Sequence, residues 1–91
     1  MNDQLMLIAV KTDLGITTTV YDERLRACVR TAQDRIAREG GTLTGSAEDE
    51  NLVAMYAAYL WRCRNSGEGM PRMLRYALNT RILSEKARAA L

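Results

Sequence analysis

Cys28, Cys63 and the acidic run Glu48-Asp49-Glu50 are the residue types in this 91-residue chain best suited to chemistry. Each lacks a partner. The sequence contains no histidine, which removes the commonest general base for a thiol and the commonest metal ligand. Two cysteines 35 residues apart cannot hold a structural zinc ion unaided, and they do not make a disulfide framework. Both sit within apolar helical patterns and are expected to be reduced core residues. The acids fall at helix starts or on a solvated ladder, where nothing apolar should raise a carboxyl pKa. Gly40-Gly41-Thr42-Leu43-Thr44-Gly45 lacks the lysine and the preceding strand of a phosphate-binding loop. The expectation is therefore a non-enzyme with no catalytic, cofactor-binding or metal-binding residues, acting through association with other macromolecules.

Length and charge set the frame. Ninety-one residues make one domain, spanning 1–91, with a modest core. No apolar run approaches the roughly 18–20 residues of a membrane span, and Met1-Asn2-Asp3-Gln4 has no basic flank of a secretion signal, so a cytosolic chain without a membrane partner is expected. The net charge is only +2, but it is unevenly spread. Residues 39–50 hold Glu39, Glu48, Asp49 and Glu50 and no base. Residues 62–91 hold Arg62, Arg64, Arg72, Arg75, Arg81, Lys86 and Arg88 against Glu68 and Glu85. An arginine-rich balance favours interfaces and leaves nucleic acid open as a partner.

The elements that must position these residues read as an all-α, compact bundle of about four helices. The first runs from about Asp3, its cap, to Leu14, with Leu5, Ile8, Ala9 and Thr12 on one face and Gly15 as the stop. The β-branched run Ile16–Val20 is too short for a sheet and becomes an extended connector. Asp22 is expected to cap the second helix, whose core stripe is Leu25, Cys28, Val29, Ala32 and Ile36. Its opposite side repeats Asp22, Arg26, Arg30, Asp34 and Arg38, a ladder suited to i,i+4 pairing and solvent. Gly40-Gly41 ends it, and residues 42–46 have the composition of a mobile loop. Ser46 and Asp49 form an approximate capping box for a third helix, to about Arg64, that is apolar all round from Leu52 to Trp61. Tyr56, Tyr59 and Trp61 need cover from three helices or from a neighbouring subunit. Arg62 and Arg64 suit its C-terminal carbonyls.

After a turn-rich break at residues 65–69, Pro71 opens a fourth helix. Met73, Leu74, Ala77 and Leu78 form its apolar patch, and Arg72, Arg75, Asn79 and Lys86 project oppositely. Arg81 falls on the apolar side, with Glu85 one turn on, so it either snorkels to the edge or marks an interface ion pair. The last residues, 87–91, extend this helix or fray.

The string from Leu52 to Arg62, followed by Met70 to Arg81, resembles the head–tail connector family of tailed bacteriophages and prophages, the adaptors that cap the portal after DNA packaging. The short first helix ending Asp13-Leu14-Gly15-Ile16 and the second opening at Asp22-Glu23-Arg24-Leu25 fit the same pattern. The resemblance covers most of the chain, and Met70–Arg81 is its specific part. It implies a compact helical subunit of a ring beneath the portal, linking head to tail around the DNA channel. The implied partners are further copies of the chain (a ring of about a dozen subunits), portal and tail-completion proteins, and non-specific DNA in the channel. Such a protein is made in the host cytoplasm and resides in the virion. The expected contact residues are Glu48, Asp49 and Glu50 on one patch, Arg72, Arg75, Arg81 and Lys86 on an opposite patch, and Tyr59 and Trp61 in packing. The alternative is a small DNA-binding regulator, because an arginine-rich fourth helix after a glycine-containing turn is superficially like a helix-turn-helix. The long break, the apolar third helix and the small net charge weigh against it.

Overall fold

A computed structural model describes residues 3–64, 67 and 69–89, excluding the side chains of 88 and 89. Four helices follow one another among the described residues: α1 (Asp3–Leu14), α2 (Asp22–Arg38), α3 (Ala47–Cys63) and α4 (Arg72–Ala89). No strand occurs among the described residues, so the all-α expectation holds. The first three helices all pack on one another, and α4 rests mainly on α3. The radius of gyration, 13.3 Å, slightly exceeds the ~12 Å expected of a compact chain this long. The molecule is drawn out to 47 × 28 × 18 Å.

The breaks are made by glycine. Gly15 has φ 72°, and the Gly15 and Ile16 amides donate to the Thr12 and Lys11 carbonyls. Gly40 has φ 106°, and the Gly40 and Gly41 amides donate to Ala37 and Ile36. Both are the paired C-terminal bonds that a left-handed residue permits after a helix. Gly41 is needed for a different reason: a Cβ there would stand 2.8 Å from Ile36 Cγ2 and 3.3 Å from its carbonyl oxygen. Ile36 is fully buried and has nowhere to go. Gly41→Ala should therefore lower stability by about 1–3 kcal/mol, as overpacking does. Urea unfolding of the variant checks this, and an unchanged midpoint would show that the site relaxes freely.

The core is Met6, Leu7 and Val10 of α1, Leu25, Val29, Ala32 and Ile36 of α2, Leu52, Val53, Tyr56, Ala57 and Trp61 of α3, and Leu74 and Leu78 of α4. The α2 stripe is as expected, with Cys28 only half-buried. The α1 face is not. Leu5, Ile8, Ala9 and Thr12 lie outward, and Met6, Leu7 and Val10 lie inward. Residues 5–10 are apolar on every side, so periodicity alone could not choose the rotation. The half-buried Lys11 helps to set it: its Nζ lies 2.8 Å from Asp22 Oδ1 and ties α1 to the start of α2. Asp22 is therefore an ion-pair partner rather than a cap; Tyr21 occupies the N-cap position without a side-chain bond. Of the α2 ladder, Asp34–Arg38 is paired, and Arg26 turns instead to Glu23.

α3 is covered within the chain to a greater extent than its composition implied. Tyr56 and Trp61 are buried, and Tyr21 meets the Trp61 ring edge-on at 5.1 Å. Arg64 lies 3.7 Å above the same ring and donates to the Trp61 carbonyl at 2.5 Å, closing the C-terminus as expected. Part of the break before α4 (Asn65, Ser66, Glu68), the Arg88 side chain and Ala90-Leu91 lie outside the described residues.

Candidate functional site

Asp49 is the only buried charged residue among those described, with 0% of its surface exposed. Its amide receives the Ser46 cap, donating to Ser46 Oγ at 3.2 Å. Its carboxylate does not return to Ser46 as a capping box would have it. Oδ2 accepts from the Thr44 amide at 2.5 Å and the Thr44 hydroxyl at 3.0 Å, and Oδ1 accepts a short bond from Arg81 Nη1. Arg81 also donates through Nε to Glu85 at 2.9 Å and through Nη2 to the Thr42 carbonyl at 2.5 Å. Glu85 accepts in turn from the Thr42 amide at 2.9 Å. One clasp thus joins α3, α4 and the loop between α2 and α3.

The electrostatics follow from this geometry. Burial would raise the Asp49 pKa, but the hydrogen bonds from Arg81 and Thr44 outweigh it and hold the group at about 2. The bonds to Asp49 and Glu85 raise the pKa of Arg81 further. Glu85 is lowered by the Thr42 amide and then by Arg81. The carboxylate is thus fixed in its charged form, the opposite of a general acid tuned toward neutrality. Burial pushes the half-buried Cys28 thiol up, which makes it less nucleophilic at neutral pH. No group of three or more metal-ligating side chains occurs among the described residues. The arrangement ties α3, α4 and the loop before α3 to one another.

The clasp changes the roles expected of several residues. Asp49 and Arg81, expected on opposite patches for contact between subunits, satisfy each other inside one chain. Trp61 belongs to the core, and Tyr59 is half-buried and edge-on to Tyr56 at 6.1 Å. Glu48, Arg72, Arg75 and Lys86 do lie at the surface, Glu50 is half-exposed, and Arg75 approaches Glu39 at 3.7 Å. Four of the clasp's bonds tie the loop at 42–46 to α3 and α4.

α3 and α4 border an open groove of about 780 Å³, to whose wall the clasp residues Thr42, Thr44, Arg81 and Glu85 also contribute. Leu52 and Ala77 contribute to its lining together with Met55, Met73, Tyr76 and Thr80. Met73 is 72% and Tyr76 70% exposed. Met73, which its spacing groups with Leu74, Ala77 and Leu78 in one apolar patch, thus lies outward of the buried Leu74 and Leu78. The signal for Met73 was Arg81: an arginine on the buried side of α4 rotates that side toward Leu74 and Leu78 and turns Met73 outward. No helix among the described residues is long and apolar enough to cross a membrane. No protein-family model matches the chain, and no curated protein or solved structure is significantly similar to it.

Proposed function

We propose that this chain is a head–tail connector subunit of a tailed bacteriophage or prophage, a ring-forming adaptor between portal and tail with its place in the virion. The reading is supported by one coincidence. The two stretches that resemble connectors, Leu52–Arg62 and Met70–Arg81, lie on α3 and α4, and residues of both line the exposed apolar groove. A surface of that kind on a small chain is characteristic of a protein–protein contact. The arginine-rich outer side of α4 then faces either ring neighbours or the DNA conduit.

Native mass spectrometry of the purified protein, with negative-stain images of large species, tests the proposal. A closed ring of about a dozen subunits is expected, formed alone or on an added portal. The competing reading, a DNA-binding regulator, draws on the exposed Arg72, Arg75 and Lys86. It predicts a small oligomer that selects one DNA sequence, and that result would overturn the connector assignment. Sequence-blind binding that weakens steeply with salt fits a conduit contact instead.

A further inference from the structure

We infer that the outer side of α4 is a seam for a helix of a different protein, one with apolar residues in heptad spacing and acids along one edge. α4 alone carries this, with or without the connector reading.

α4 is apolar on two sides. Leu74 and Leu78 are buried against the rest of the chain, and Met73, Tyr76, Thr80, Leu83 and Ala87 are exposed on the far side. Their spacing, i, i+3, i+7, i+10 and i+14, alternates steps of three and four, the repeat by which one helix offers a seam to another. Met73, Tyr76 and Thr80 also line the α3–α4 groove, but Leu83 does not; it is 69% exposed and borders a shallow hollow with Asn79, Ile82 and Lys86. The seam therefore outruns the groove. A stripe this narrow suits one packed helix, where a helix lying on a membrane shows a broad apolar face.

Charge selects the partner. Arg72, Asn79 and Lys86 recur along one edge of the seam, at its flanking heptad position. Arg72 and Lys86 are exposed and have no ion-pair partner among the described residues, while Arg75 approaches Glu39. The other edge, toward the groove, carries Ala77 and Ser84. Of the charges lining the groove, Arg81 and Glu85 pair with each other, which leaves Glu48. A second copy of α4 does not answer this pattern: laid parallel, it sets an uncharged edge beside the basic one, and laid antiparallel, it sets two basic edges together. A helix with acids along the edge that meets Arg72 and Lys86 answers it. The connector reading leaves this side of α4 to a ring neighbour or to DNA; the apolar seam favours protein.

The probe is a helical peptide of about three heptads with leucine at the two seam positions, glutamate along one edge and glutamine along the other. Its twin carries lysine for glutamate. Either docking direction can bring the acidic edge to Arg72 and Lys86. Calorimetric titration into the full chain should show the glutamate peptide binding about tenfold or more tighter than the twin, the gap narrowing as salt rises. Leu83→Glu should weaken the glutamate peptide by about tenfold or more, as loss of a seam anchor does, and Arg72→Glu/Lys86→Glu should reverse the preference between the peptides. Each changed residue is exposed, circular dichroism confirms folding, and Met73→Glu replaces Leu83→Glu if that variant is unfolded. Equal binding of the two peptides overturns the inference, as does no binding of either up to millimolar concentration. Wild-type self-association that Leu83→Glu abolishes gives the seam to a second copy. Sedimentation with phosphatidylserine vesicles, without peptide binding, gives it to a membrane surface. Either result overturns the inference.

Discussion

Arg81→Met should lower the stability of the folded chain by about 3 kcal/mol or more in urea unfolding, although only one surface-reaching side chain changes. The methylene stem is replaced and its packing kept, so the loss falls on the guanidinium. Without it, Asp49 remains 0% exposed with Thr44 as its remaining partner, and an uncompensated buried charge costs about 3–5 kcal/mol. The Asp49→Asn/Arg81→Met pair should recover part of that loss, giving a coupling well outside the additive range. Equal and additive losses would show that the pair contributes nothing beyond its two members. The pH dependence has a definite sign. Asp49 is held at about 2 against an ordinary value of 3.8, so its stabilisation is present above pH 4 and is lost as pH falls toward 2. Glu85, shifted in the same direction, adds to the trend. In Arg81→Met the favourable charge is gone and burial drives the carboxyl upward. Acid should then relieve the buried charge, and the stability deficit relative to wild type should narrow on acidification.

The helices were legible because their punctuation is local. Gly15, Gly40-Gly41, Ser46 and Pro71 each act within a few residues, and the α2 stripe from Leu25 to Ile36 repeats at helical spacing over three turns. What sequence could not supply was rotation where a helix is apolar on more than one side. For α1, residues 5–10 satisfy either face, and Lys11–Asp22, a tertiary pair eleven residues apart, helps to settle it. For α4, Arg81 on the apolar side was visible, but its partner was not. Asp49 stands 32 residues away in a first turn where an acid is already explained by the helix dipole. The same local sufficiency concealed the clasp and, with it, the pinned loop and the outward turn of Met73. Tyr76 and the groove become visible only when α3 and α4 are placed together.

Leu78→Ala should show that α4 is held to the molecule as a separable arm. Leu74 and Leu78 are the two α4 side chains in the buried core among the described residues, and Leu78 is fully buried. Removing it costs about 2–5 kcal/mol, the range for a buried leucine truncated to alanine. Because α4 leans mainly on α3, while α1, α2 and α3 pack on one another, that loss should fall chiefly on the docking of α4. Amide hydrogen exchange reads this directly: α4 amides should open at a lower free energy than those of α2 in the wild type, and Leu78→Ala should widen the gap. A uniform loss of protection across all four helices would instead make α4 an integral part of one cooperative core. The separable outcome has a consequence for assembly. The groove exists only while α4 is docked, so its occupant binds the docked state alone and stabilises it by linkage. A partner held in the groove should therefore restore protection to α4 as its concentration rises, and Leu78→Ala should need a higher concentration to reach the same protection.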